Sequence, residues 1–164
     1  MKDALDKLDL RILTILQTDA RITNQALANK VGLSPSSCLQ RVKQLEKKGY
    51  ITAYISELDL GKICHYILCI ANVKMDNYTP QDVDDFVDLI KKIPEIVECY
   101  TVSGECDFIL KIICSDMSKH LELNNLLLNS NSKISNIKTH VVMKENKTFE
   151  GFPLENLSNT PLQK

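Results

Sequence analysis

The sequence has no tryptophan, three arginines, three histidines, and five each of glycine and proline in 164 residues. So little Gly and Pro excludes a collagen-like or low-complexity chain. No stretch approaches the roughly 18 consecutive apolar residues of a membrane-spanning helix. The charged start MKDALDKLDLR lacks the apolar core of a secretory signal. Six cysteines are present (Cys38, Cys64, Cys69, Cys99, Cys106 and Cys114), but none forms a CxxC pair. Many metal and redox motifs use such spacing, and a chain this long builds a core without covalent staples, so no disulfide framework is expected. Most of the cysteines sit among apolar residues and are expected to pack as small hydrophobes, with Cys106, in a turn, the one open to reaction. There is no GxGxxG, P-loop, HExxH or GxSxG motif. His65, His120 and His140 fall on separate segments and are expected at the surface or hydrogen-bonded. The expectation is a reduced, cytoplasmic protein with no cofactor, no metal and no membrane partner.

The formal net charge is −1, but acids are missing from one region. Between Ala20 and Tyr50, Glu46 stands alone against Arg21, Lys30, Arg41, Lys43, Lys47 and Lys48, a local charge of +5 that leaves −6 elsewhere. Segregation of this kind suggests divided labour. The same region is punctuated like a helix-turn-helix. Leu5, Leu8, Ile12 and Leu16 recur at helical spacing, with Leu13 and Ile15 beside them. Thr23 can cap a short second helix carrying Ala26, Leu27 and Val31, and Gly32 can end it. Leu33 plugs the corner, and Ser34-Pro35 restarts the chain as N-cap and N1. The third helix runs to about Lys48 and stops at Gly49.

At 100° per residue, Cys38, Val42 and Leu45 share the inner face of that helix. Ser36, Gln40, Lys43 and Lys47 lie opposite, flanked by Ser34, Ser37, Gln44 and Arg41. Hydroxyls and amides come early and cations late, the order a recognition helix needs if its start meets base edges and its later turns meet phosphates. Ser36, Ser37, Gln40 and Arg41 are the expected base readers, Lys43 and Lys47 the phosphate contacts. Tyr50–Ile55 alternates like a strand and suits a wing or linker strand.

The second half reads as strand, helix, two strands, helix, strand. His65–Met75 places Ile67, Cys69, Ala71, Val73 and Met75 on one face. Thr79-Pro80-Gln81-Asp82 starts a helix whose inward stripe is Val83, Phe86, Val87, Ile90 and Ile93. Asp82, Asp84, Asp85 and Asp88 mark its solvent side. IVECYTV and FILKIIC form a hairpin around Ser103–Asp107, a second helix opens at Asp116 and runs to about Leu128, and the last strand alternates from Ile137 to Met143. The fold class is α+β: an N-terminal winged helix-turn-helix followed by a ferredoxin-like βαββαβ domain. The boundaries expected are residues 1–57 for DNA binding, 58–62 as linker, 63–147 as the ferredoxin-like domain, and 148–164 as a polar tail in which Phe149, Phe152 and Leu154 can dock locally. Two helices on one side leave the other sheet face open, and the rows of the first and last strands are expected to pair with another copy.

Over residues 4–147 the chain resembles the Lrp/AsnC (feast/famine) transcription regulators. The residues that carry the likeness are LDKLDLRILTILQTDARIT, LANKVGLSPSSCLQRVKQLEKKGYI, ECYTVSGECDFILK and THVVM. It looks especially like the leucine-responsive branch through VGLSPSSCLQRVKQLE, VSG, SDMS and THVVM. The resemblance implies double-stranded DNA as partner, a homodimer formed through the C-terminal sheets that assembles to an octamer, and a small effector, an amino acid such as leucine. By position it places the effector at Thr101, Val102, Ser103, Gly104, Asp107 and Met117. Two departures stand out: Cys106 replaces an aromatic before the Asp, and Asn131-Ser132-Lys133 stands where Pro-Gly is common. In an amino-acid site, Asp107 would meet the ammonium, turn N–H groups the carboxylate, and Val102 and Met117 the side chain. The plainer reading is that Asp107 only stabilises the hairpin.

Two other readings remain at this point. Some Lrp-like proteins are haem-pathway decarboxylases, but holding a carboxylated tetrapyrrole calls for His and Arg together, and all three Arg (Arg11, Arg21 and Arg41) lie in the N-terminal half. The chain is therefore not expected to be an enzyme. A winged helix used only for protein contacts is the third reading.

Overall fold

The computed structural model describes residues 5–130 and 133–158; Asn131 and Ser132 of the segment before the last strand, and residues 159–164 of the expected tail, lie outside them. By its contacts the chain forms two units, Met1–Glu57 with Lys147–Lys164, and Leu58–Asn146.

The helices of the first unit are fixed by their ends. Helix α1 (Lys7–Leu16) begins in a capping box between Asp6 and Asp9, so the first turn's orphan N–H groups find carboxylate oxygens. Helix α2 (Asn24–Val31) is capped by Thr23, whose hydroxyl accepts from Ala26 N–H at 3.2 Å, and closes at Gly32 with φ of 73°. Helix α3 (Pro35–Lys47) starts with Ser34 as N-cap and Pro35 at N1. Their inner faces bury Ile12, Leu16, Leu27, Ala28, Val31, Cys38 and Leu45, with Leu33 and Val42 packed alongside. Residues 50–59 form no strand. The alternation at Tyr50–Ile55 promised one, but a strand needs a second strand to bond, and the described residues of this unit contain none.

The tail returns to this unit. Gln17 Nε2 donates to the Phe152 carbonyl at 3.0 Å, and Phe152 N–H donates to Gln17 Oε1 at 2.8 Å. Phe149 and Phe152 meet edge to face at 4.9 Å. Helix α7 (Leu154–Ser158) follows and packs against α1.

In the second unit, the expected linker contains a helical turn, α4 (Leu60–Ile63). The order then runs β1 (Ile67–Met75), α5 (Pro80–Ile90), β2 (Ile96–Thr101), β3 (Phe108–Cys114), α6 (Met117–Ser130), β4 (Ile134–Val141). This is βαββαβ, with strands in the order β2-β3-β1-β4 and every neighbour antiparallel. Alternate residues of β1 (Cys69, Ala71, Val73, Met75) and of β3 (Phe108, Leu110, Ile112, Cys114) are buried against Phe86 and Ile90 of α5 and Leu123 and Leu127 of α6. Phe86 and Phe108 stack with centroids 4.7 Å apart.

Register corrects two expectations. Opposite residues of an antiparallel pair share a face; Ile137 faces Val73, Thr139 faces Ala71 and Val141 faces Cys69. The apolar rows of β1 and β4 therefore point to the helices, not to the open side. The open side carries Leu68, Ile70, Ile109, Ile113 and Tyr100, with Lys111 paired to Glu98 at 3.0 Å. The last strand also ends at Val141. Its final ladder bond, Val142 N–H to Leu68 O at 2.8 Å, comes where β1 begins, leaving Met143 91% exposed.

Candidate DNA-binding face and effector hairpin

Helix α3 presents Ser34, Ser36, Ser37, Gln40, Lys43, Gln44 and Lys47 on its exposed side. The serine hydroxyls form one cluster: Ser34 Oγ lies 2.9 Å from Ser37 Oγ and 3.2 Å from Ser36 Oγ, and it accepts from Ser37 N–H at 3.2 Å. The side chains of Lys43 and Lys47 have no hydrogen bond or ion pair among the described residues. The lone acid, Glu46, accepts from the Tyr54 hydroxyl at 2.8 Å. Burial, helped by Glu46, pushes that hydroxyl's pKa up to about 12, so it remains a donor. Tyr54, within the segment expected to be a strand, thus ties down the one negative charge on the basic segment.

Two features escaped the sequence reading. Asn24, at the start of α2, donates to the Pro35 carbonyl at 2.8 Å and so fixes where the recognition helix begins. Arg41, expected to read a base, is engaged: Nη1 donates to Asp6 Oδ2 and to Asp9 Oδ1, each at 2.7 Å. The periodicity of α3 put Arg41 on the polar face correctly, but carboxylates some 35 residues upstream are invisible to it.

The hairpin between β2 and β3 holds Thr101, Val102, Ser103, Gly104 and Asp107 together. It is closed by Val102 N–H to Asp107 O at 2.9 Å, and Asp107 N–H continues to Val73 O at 2.9 Å. Thr101, Ser103 and Gly104 are exposed and Val102 is half-buried. Gly104 sits at φ of 122° with nothing within 4 Å of where a Cβ would be, a conformation that only Gly takes without strain.

Asp107 does not face solvent. Its Oδ2 accepts from Met75 N–H at 2.8 Å, and its Oδ1 from Tyr78 OH at 3.1 Å and Lys74 Nζ at 3.3 Å, with the side chain 14% exposed. Burial alone would raise its pKa, but the Met75 N–H, then Lys74 and Tyr78, hold it below the usual carboxylate range. These bonds tie the hairpin to the end of β1.

Met117 stands elsewhere. The hairpin enters β3 at Phe108, and α6 begins beyond Cys114, so at about 3.3 Å per residue the turn and Met117 lie about 20 Å apart along one chain. Within one chain, half-exposed Met117 is not brought together with the hairpin.

The remaining candidates sort simply. Cys38, Cys69 and Cys114 are buried, while Cys64 is exposed and Cys106 is half-buried. Burial raises the pKa of the three buried thiols and of Cys99, which keeps them protonated. His120 is neither at the surface nor fully bonded: it is 2% exposed, Nδ1 lies 3.4 Å from Asn124 Nδ2, and Nε2 has no partner among the described residues. Helix α6 turns it inward beside Leu123 and Leu127.

Comparison with known proteins agrees with this division. Residues 5–52 match the winged helix-turn-helix DNA-binding family and residues 68–151 match the Lrp/AsnC ligand binding domain. The chain is 36% identical over 141 residues to the leucine-responsive regulatory protein of Escherichia coli (strain K12), covering 86% of each chain. It is 34% identical over 153 residues to the transcriptional regulator AzlB of Bacillus subtilis (strain 168), covering 93% of this chain and 98% of that one. Among solved structures it is similar to a transcriptional regulator from Neisseria meningitidis in complex with L-Met, at 33% identity, TM-score 0.84, and 94% and 99% coverage. An AsnC family regulator from Agrobacterium tumefaciens superposes at TM-score 0.86 with 26% identity, covering 93% and 99%.

Proposed function

The chain belongs to the Lrp/AsnC family of transcriptional regulators, a family of DNA-binding proteins rather than enzymes, and from there we propose how its own residues divide the work. The DNA face is α3, with Ser34, Ser36, Ser37, Gln40 and Gln44 meeting base edges and the nearest phosphates, and Lys43 and Lys47 meeting the phosphate backbone. The observation that carries this reading is the pair of exposed lysine side chains, without partners among the described residues, beside a cluster of exposed hydroxyls at the helix start. Hydroxyls and amides can discriminate base pairs in the major groove, whereas Lys contributes charge that every sequence feels. The protein works in the cytoplasm as a homodimer, the open sheet face supplying Leu68, Ile70, Ile109 and Ile113 to a second copy, and dimers assemble further to an octamer.

The effector is an amino acid, with leucine the first to test and methionine the second. The relatives' names, leucine-responsive regulatory protein and an L-Met complex, support an aliphatic or thioether side chain. The exposed turn Thr101–Gly104 offers backbone N–H groups for the carboxylate, and Val102 offers apolar contact. Asp107 contributes by holding the turn, and Met117 joins from a neighbouring copy.

The test is fluorescence anisotropy on DNA from upstream of the protein's own coding region, with and without single amino acids. Lys47→Ala should weaken all sequences alike and lower the salt slope by about one unit; an unchanged slope would remove Lys47 from the DNA face. Sedimentation of the same samples should show a change in assembly or affinity with leucine or methionine. If no amino acid changes either quantity, the effector reading fails while the DNA reading stands.

A further inference from the structure

The contact that withdraws Arg41 from base reading is built with some care by the sequence. Asp6 and Asp9 form the capping box of α1: Asp9 N–H donates to Asp6 Oδ1 at 2.8 Å, and Asp6 N–H donates to Asp9 Oδ2 at 3.3 Å. Each carboxylate uses one oxygen for the helix end. Each gives its other oxygen to the same Arg41 nitrogen at 2.7 Å. The side chain of Asp9 is only 19% exposed and that of Arg41 31%. The guanidinium therefore joins the start of α1 to the middle of α3. Asn24 makes a second tie, from α2 to the first residue of α3. Between them the recognition helix is fixed at two points along its length.

We propose that Arg41 is a positioning residue: it sets how α3 enters the groove, and it cancels charge on two carboxylates that would otherwise repel the phosphates. This rests on the DNA-binding reading of α3. It differs from base reading by Arg41 in a way that has opposite signs. If Arg41 reads DNA directly, Asp6 and Asp9 compete with DNA for it. Removing their charge then frees a cation, deletes two anions, and tightens binding. If Arg41 positions α3, removing their charge loosens the helix and discrimination falls.

The experiment compares the full-length parent, Arg41→Ala, the double variant Asp6→Asn with Asp9→Asn, and Lys43→Ala. Asn keeps the N-cap function, so α1 should persist; far-UV circular dichroism and amide hydrogen exchange check that α1 still forms. Affinity is measured for operator and for random DNA over a salt series. Positioning predicts that both Arg41→Ala and the double Asp→Asn variant lower the operator-to-random ratio by about tenfold. It also predicts a loss spread over the whole half-site in a base-substitution series. Lys43→Ala should lower affinity for both DNAs and leave the ratio alone. The proposal is overturned if the double variant binds operator more tightly with an unchanged ratio, or if Arg41→Ala loses preference at one base pair only. A parent that binds no DNA would overturn it together with the reading beneath it, and that outcome is seen before any variant is compared.

Discussion

The DNA-binding unit buries seven apolar side chains among its described residues and the effector unit thirteen. The difference shows in what each uses besides burial. The smaller unit leans on side chains that bond backbone or each other at helix ends: Asp6, Thr23, Ser34, Asn24 and Arg41. Each such bond contributes on the order of 1 kcal/mol, which matters where few large side chains are buried. The effector unit has continuous ladders between four strands and a row of buried residues on each central strand. A helical unit with modest burial is governed by its caps; a sheet unit is governed by register and packing.

The comparison can be broken most sharply at Phe108, which is 1% exposed and stacked on Phe86. Phe108→Ala should destabilise the effector unit by about 3–5 kcal/mol, the cost of losing a buried aromatic and leaving a cavity. Urea unfolding followed by hydrogen exchange should show the sheet lost first and the amides of α1–α3 still protected. Simultaneous loss of both would mean that the units do not stand separately.

A smaller effect is expected at Asp107. Asp107→Ala should cost about 1.5–3 kcal/mol, because the Met75 N–H loses a charged acceptor. The depressed carboxylate contributes stability that is present above its ordinary pKa of 3.8 and is lost as pH falls through the lower folded value. The variant should therefore lack part of the parent's acid-induced loss in the lowest pH range. If Asp107→Ala leaves stability untouched but abolishes an amino-acid response, the carboxylate meets the ligand after all.

The smallest effect is one of pH nearer neutrality. All three histidines belong to Leu58–Asn146, and the DNA-binding unit has none. Burial lowers the pKa of His120, so the folded unit holds it neutral. Stability is then full above the unfolded value of 6.5 and declines as pH falls below it, until the folded value is passed. A shallow loss confined to the effector unit should appear in thermal melts below that pH, and His120→Gln should flatten it. An equal loss in the DNA-binding unit would contradict the assignment.

Local chemistry was legible in the sequence, and contacts over long separations were not. Thr23, Gly32 and Ser34-Pro35 could be read because a cap depends on three or four neighbouring residues. Alternation found the four strands for the same reason. It also promised a strand at Tyr50–Ile55, since a period of two describes a shape and not a partner. It could not tell which side of the sheet Ile137 faces, because that depends on pairing with Val73. Asp107 was singled out from the turn, but Met75, Lys74 and Tyr78 lie some thirty residues away. His120 looked like a surface residue because the polar residues flanking it on α6 hide that its own position points inward.

Phe152 has a practical consequence for handling the molecule. Its two bonds to Gln17 span 135 residues of chain, and a Cβ on neighbouring Gly151 would meet the Gln17 amide at 2.8 Å. Gly151 and Phe152 thus belong to the unit that begins with α1, and in chain order the effector unit is inserted within it. A fragment cut after Glu57 is missing a piece of its own fold, and a truncation that removes Gly151 and Phe152 is an alteration of the DNA reader.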